Sequence, residues 1–124
     1  MAIPVPTKNF LSKYIDASGT NIPTSYGSGS DSKIMTGMAN TGYRHLRVLN
    51  KTAGRVALCF VADKNASVPS SSNSANTAQH YVPEPSSGNT TVDFVDEICV
   101  FDSLYIRSDS GSAITSGVVV VELW

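Results

Sequence analysis

Residues 43 to 62 read YRHLRVLN-KTAG-RVALCFVA, and this stretch decides the fold class. Tyr43 to Leu49 alternates: Leu46 and Val48 fall on one face with Arg44 beside them, and Tyr43, His45, Arg47 and Leu49 on the other. Strict alternation at period two is the mark of a half-buried strand. Arg55 to Ala62 is apolar on both faces, as expected of a central strand covered on both sides, or of one with a face in the core and a face in a subunit interface. Asn50-Lys51-Thr52-Ala53-Gly54 between them suits a hairpin loop with a left-handed residue near its end.

Toward the C-terminus the grammar repeats. Thr91 to Val95 alternates, Ile98 to Phe101 is apolar, and Asp109-Ser110-Gly111-Ser112 reads as a turn. Ser103 to Ser108 predicts a strand with Leu104 and Ile106 inward and Tyr105 and Arg107 outward. The chain closes on Gly117 to Trp124, where Val119, Val121 and Leu123 share one face and Val118, Val120 and Glu122 the other, a second doubly covered strand. Gln79 to Val82 predicts a short strand before Pro83-Glu84-Pro85.

Toward the N-terminus, Lys33 to Met38 predicts a short strand and residues 16–32 a loop. Phe10 to Ile15 fits either a strand or one helical turn. Residues 1–9 form an extended arm, because Pro4 and Pro6 remove two backbone donors and hold their predecessors extended. Residues 63–78 are low in complexity and form a long polar excursion. The sum is seven to eight short strands without a helical period. That pattern is an all-β, antiparallel two-sheet sandwich or jelly roll, with the arm at 1–9 and one domain at 10–124.

Composition agrees. The 124 residues include 18 Ser, 10 Thr, 8 Asn and 9 Gly, and the charged fraction of 15% lies well under the usual quarter. Val leads the apolar residues and Leu is scarce, which argues against a helical bundle. A net charge of −1 gives no electrostatic footprint for nucleic acid. The basic run Arg44, Arg47, Lys51 and Arg55 reads as a solvated strand face. No run approaches the roughly 20 apolar residues of a membrane span. Met1-Ala-Ile-Pro-Val-Pro has no basic segment leading into an apolar one, so no secretory signal is expected and the chain is expected to fold in a reducing cytoplasm. Cys59 and Cys99 each sit mid-run and read as buried free thiols, with a disulfide left open. The sequons at Asn50, Asn65 and Asn89 read as turn chemistry.

No catalytic constellation emerges. Ser never occurs as Gly-x-Ser-x-Gly, and nothing selects a partner for His45 or His80. Asp93, Asp96, Glu97 and Asp102 lack calcium-loop spacing and read as solvated. Gly27-Ser-Gly29 neither ends in a P-loop lysine nor opens a helix. There is no metal-ligand spacing, so no cofactor and no metal are expected. Tyr26, Tyr43, Tyr81, Tyr105 and Trp124 could stack sugars in a carbohydrate- or receptor-binding module. A terminal Trp and scattered Tyr are more often packed edges or interface anchors.

Three segments carry a family resemblance: Leu46 to Leu58 (LRVLNKTAGRVAL), Leu104 to Ser112 (LYIRSDSGS) and Ser116 to Trp124 (SGVVVVELW). Together they resemble small β-sandwich virion proteins of tailed bacteriophages, of the capsid decoration (cement) or head–tail accessory type. The resemblance covers roughly residues 45 to 62 and 103 to 124. It implies a non-enzymatic structural protein that resides in the virion and is assembled in the host cytoplasm. It also implies a homo-oligomer with a trimer favoured, holding the major capsid protein or other virion proteins through its N-terminal arm, without nucleic acid or membrane as partner. The interface residues this reading selects are Ile3, Val5 and Phe10, then Tyr43, Tyr105 and Trp124. The alternative is the carbohydrate-binding module, with Tyr105 and Trp124 as its platform.

Overall fold

A computed structural model of the chain describes residues 11–26, 33–35, 43–62, 77–88, 90–95 and 103–124. Among these, eight strands follow one another: β1 (Leu11–Asp16), β2 (Lys33–Met35), β3 (His45–Thr52), β4 (Val56–Val61), β5 (Thr77–Val82), β6 (Thr91–Val95), β7 (Ser103–Ser108) and β8 (Gly117–Leu123). A 3-10 turn at Pro85–Ser87 separates β5 from β6. The strands form two four-stranded sheets in the orders β1-β8-β3-β6 and β2-β7-β4-β5, and each pairing between them is antiparallel. The expected all-β, two-sheet sandwich is therefore the fold, and Phe10 to Ile15 resolves as strand from Leu11 onward.

The pairings have a simple logic. First pairs with last (β1·β8), second with seventh (β2·β7), third with sixth (β3·β6) and fourth with fifth (β4·β5). The chain is one long hairpin, rolled up so that β3 also meets β8 and β4 also meets β7. That winding is a jelly roll.

It corrects the reading of residues 43 to 62. β3 and β4 do not form a hairpin; they lie in different sheets, and the segment between them crosses the edge of the sandwich. Asn50 is the physical reason. It follows Leu46 and Val48 on the core face of β3 and is fully buried. Its amide donates to the carbonyls of Gly54 (2.8 Å), Val82 (3.2 Å) and Pro83 (3.2 Å), while its oxygen accepts from the Thr52 amide and hydroxyl. Carbonyls at the corner are satisfied by the Asn50 side chain, joined at Gly54 by the Thr52 hydroxyl at 2.9 Å. Gly54 is also not left-handed: among the described residues the positive-φ glycines are Gly88, Gly111 and Gly117. Gly54 is small because a Cβ there would lie 2.9 Å from Ser110 Oγ.

The core lies between the sheets. Leu46, Val48, Val119, Val121 and Leu123 from the first sheet meet Val56, Leu58, Phe60, Leu104 and Ile106 from the second. β4 is buried at all six positions, as its doubly apolar sequence requires. The last strand is not covered to the same degree, since Val118 and Glu122 are only half-buried on the outer face of β8. The arm at 1–9, Phe10, the Ile98 to Phe101 run and residues 63–76 of the expected 63–78 excursion lie outside the described residues, while Thr77 and Ala78, expected in that excursion, belong to β5, which pairs them with Val61 and Phe60.

Candidate functional site

The two outer faces of the sandwich differ in kind. The outer face of the second sheet is covered in part by the chain itself, while Tyr81 on β5 stays 44% exposed with the Arg55 guanidinium 4.7 Å from its ring centre. Tyr26, from the β1–β2 connection, packs with Ala57, Cys59, Val61 and Tyr105 in a separate buried cluster. Its ring meets Tyr105 edge-on at 6.4 Å, and its hydroxyl donates to Gln79 Oε1 at 2.8 Å. Tyr105 is thus only 7% exposed, and its reading as an exposed interface residue is corrected: it faces outward from β7, but a distant loop closes over it. Arg107, expected to point to solvent, is buried in the same way under Tyr26, with its guanidinium 5.3 Å from the ring centre.

Charge under this cover is held by partners. Arg107 Nη1 donates to Asp109 Oδ1 at 2.8 Å and to the Ser108 carbonyl at 3.1 Å, and Arg55 donates to the other carboxylate oxygen of Asp109. Burial alone would raise the Asp109 pKa; the hydrogen bonds from Arg107 and Arg55 outweigh it and hold the carboxyl below its ordinary value. Arg107 Nε is buried without a partner. Burial pushes the Tyr26 hydroxyl pKa up and lifts the Cys59 thiol to about 11, with Arg107 partly opposing the latter. Cys59 is accordingly a protonated, buried free thiol. Beside this network Ala53, Gly54, Arg55, Glu84, Asp109 and Ser110 line a shallow depression of about 270 Å³.

Among the described residues no loop closes over the outer face of the first sheet, although Val120 at its centre is buried. Alternation along β1, β8, β3 and β6 sets its rows through the strand register. Tyr14, Val120, Leu49 and Thr91 form one row, and Glu122, Arg47 and Asp93 the next. Beyond them Trp124 pairs with His45 through two backbone hydrogen bonds, and His45 pairs with Val95. The exposed large apolar residues here are Tyr14 (68%), Val95 (55%) and Trp124 (41%). The His45 and Trp124 rings are parallel, with centroids 5.1 Å apart. Arg47 reaches over the indole at 5.3 Å and pairs with Asp93 at 2.7 Å.

Of the residues selected from the sequence, Trp124 stands on this face. Tyr43 is half-buried against the main core. Ile3, Val5 and Phe10 lie outside the described residues. Tyr105 and Trp124 belong to opposite sheets, so they form no common stacking platform. Tyr14 and Val95 went unselected. The signal for Tyr14 was the alternation within residues 10–15, usable only once that segment is known to be a strand.

The histidines are packed among rings: His80 meets Phe94 edge-on at 4.8 Å and Phe60 at 5.8 Å, and His45 lies on Trp124. Asp93 is committed to Arg47 on the surface, and Asp96, Glu97 and Asp102 lie outside the described residues. Among the described residues no group of three or more His, Cys, Asp or Glu is placed to hold a metal ion. No helix among them is long and apolar enough to cross a membrane. Comparison of the chain with protein-family models, with curated proteins and with solved structures returns no match.

Proposed function

We propose that this chain is a structural protein of a bacteriophage virion, a capsid decoration protein that holds to the capsid lattice and stabilises it by association alone. The observation that carries this reading is the contrast between the two outer faces. On one, the chain's own Tyr26 closes over Cys59, Tyr105 and Arg107 and leaves Tyr81 exposed beside Arg55; the other presents Tyr14, Val95 and Trp124 to solvent. Exposed apolar side chains on one outer sheet face, interleaved with Glu122, Arg47 and Asp93, support an association surface. The winding adds fold-level analogy, since jelly rolls recur in viral capsid and lectin domains. In this reading the N-terminal arm, with Ile3 and Val5, makes the contact to the major capsid protein. The driving force is apolar area buried at roughly 25 cal/mol per Å², less the entropy of association.

The test is co-sedimentation of the purified chain with capsids encoded by the same genome. Saturable pelleting, a raised capsid disruption temperature and loss of both on deleting residues 1–9 are the expected results. The reading falls if the chain pellets with neither heads nor tails, or if the neighbouring reading frames encode no capsid, portal or tail protein. Saturable binding on a glycan array, lost in Trp124→Ala, would transfer it to a carbohydrate-binding module.

A further inference from the structure

We propose that the outer edge of β5 is a strand-acceptor site, and that its occupant is the N-terminal arm of a neighbouring copy of this chain, added antiparallel as a fifth strand of the β2-β7-β4-β5 sheet. The inference goes beyond the proposed function, because it gives the arm a seat on this fold and needs no capsid.

Among the described strands, β1, β6, β2 and β5 lie at sheet edges. Exposed edges invite pairing with other chains, and proteins blunt them with charge, brevity or bulges. Three of the four are blunted. On β1, Lys13 stands on the core side, opposite Val121 and two residues from the buried Ile15, yet it is exposed. β2 has three residues and a register shift. β6 carries Asp93, paired with Arg47. β5 has none of these devices. Its sequence TAQHYV holds no Asp, Glu, Lys, Arg or Pro, and its six residues pair with β4 without a break. The Asp109 amide donates to the Arg55 carbonyl, so odd-numbered residues of β4 turn to β7 and even-numbered ones to β5. Val82, His80 and Ala78 therefore bond β4, while Thr77 and Tyr81 turn their backbone groups to the outer side. The Tyr81 side chain is 44% exposed there.

The arm has the matching parity. Successive residues of an extended strand turn their N–H and C=O groups to opposite sides. Pro4 and Pro6 lack the donor on one side; Ile3, Val5 and Thr7 keep donor and acceptor on the other. Such a strand has one bonding edge, so it can finish a sheet but not continue it. Setting Ile3 opposite Tyr81 and Thr7 opposite Thr77 joins the two bonding edges. It also puts a β-branched side chain beside an exposed aromatic ring, a favourable cross-strand pair. The Ile3 and Val5 side chains then lie on the outer face, where the capsid contact of the proposed function needs them.

The chain's own arm cannot take this seat. Leu11 lies in one row with Leu123, Leu46 and Phe94, and the Phe94 ring meets His80 of β5 at 4.8 Å. The seat outside β5 is thus four strand spacings and one sheet spacing from Leu11, roughly 20 Å. The four residue steps from Thr7 to Leu11 span at most about 14 Å. A neighbouring copy supplies the arm.

The test is sedimentation velocity with light scattering on the full chain, on a deletion of residues 1–9 and on two proline variants. The wild type is expected to associate and the deletion to run as a monomer. Thr7→Pro removes a donor on the bonding side and should raise the dissociation constant about tenfold, whereas Lys8→Pro removes one on the other side and should leave it unchanged. Circular dichroism establishes that each variant is folded. In a Cys99→Ser background, a mixture of Ile3→Cys and Tyr81→Cys chains should form a disulfide-linked dimer on oxidation. Pro4→Cys in place of Ile3→Cys should not, because its side chain lies on the other face. A monomeric wild type, an unchanged mass after deletion, equal effects of the two prolines, or equal cross-linking from positions 3 and 4 would each overturn the proposal. An arm that holds only the capsid protein gives the first of these outcomes. Association in the expected pattern without co-sedimentation on capsids would sink the proposed function alone.

Discussion

At Asn50 both ends of one amide are engaged inside the protein, and the corner between the sheets depends on them. Its nitrogen serves the carbonyls of Gly54, Val82 and Pro83, and its oxygen serves Thr52. Asn50→Ala would take the side-chain donor from the Val82 and Pro83 carbonyls, leave Gly54 to the Thr52 hydroxyl, and open a small void. A loss of about 2 to 4 kcal/mol is expected, since an unsatisfied buried polar group costs roughly 1–3 kcal/mol. Asn50→Asp should be worse at neutral pH. It keeps an acceptor for Thr52 but turns a second oxygen, now charged, toward three carbonyl oxygens. Urea midpoints of the two variants check the order; an Asp variant as stable as the wild type would mean that the corner does not rest on those bonds. The sequon Asn50-Lys-Thr was legible as turn chemistry, because Asn and Thr both bond locally to backbone. That the turn leads to the other sheet was not, because burial of Asn50 is a tertiary fact.

Among the elements, β7 shows how far a strand's own pattern can be trusted. Leu104 and Ile106 point into the core, as alternation demands. Tyr105 and Arg107 point the other way and are buried nonetheless, because Tyr26, far earlier in the chain, lies over them. Period-two patterning tells which residues share a face; it says nothing of what covers that face. The candidate site was lost to the same limit. The sequence could not show that Tyr26 would close over Tyr105 while Tyr14 stayed exposed, so Tyr105 was selected and Tyr14 was not. The buried end of β7 also makes a prediction. Asp109→Ala strips Arg107 of its carboxylate and should cost about 2 kcal/mol, whereas Arg107→Met removes the guanidinium together with its unpartnered Nε and should cost under about 1 kcal/mol. The folded carboxyl of Asp109 titrates below its ordinary value of about 3.8. Its stabilisation is therefore complete above that pH and is lost as the pH falls through the folded value. Acid unfolding of Arg107→Met should show a weaker pH dependence in that window than the wild type; an unchanged slope would remove Arg107 as the partner that matters.

For the whole molecule, the winding sets an order of assembly. Most of the described strands were marked by an alternating or apolar run between turn residues, with β1 left between strand and helical turn, yet partner choice in a rolled hairpin is non-local. Among the described strands, only β4 and β5 are both consecutive in sequence and adjacent in one sheet. Pairing grows in sequence separation from β4·β5, through β3·β6 and β2·β7, to β1·β8. Loop closure costs more entropy as the separation grows, and each inner pair shortens the effective loop for the next. The roll should therefore zip outward from β4·β5 and close last at β1·β8, with refolding in the millisecond-to-second range of β-sandwiches. Val82, fully buried and paired with Val56, belongs to the first step; Val119, fully buried and paired with Ile15 and Asn50, belongs to the last. Val82→Ala is expected chiefly to slow folding, and Val119→Ala chiefly to speed unfolding. Trp124 is the single tryptophan and sits where β8 closes on His45, so its fluorescence reports the final step in a stopped-flow experiment. If Val119→Ala slows folding and Val82→Ala leaves it unchanged, the roll closes from its ends inward, and the sequence separation of its pairs does not govern how it forms.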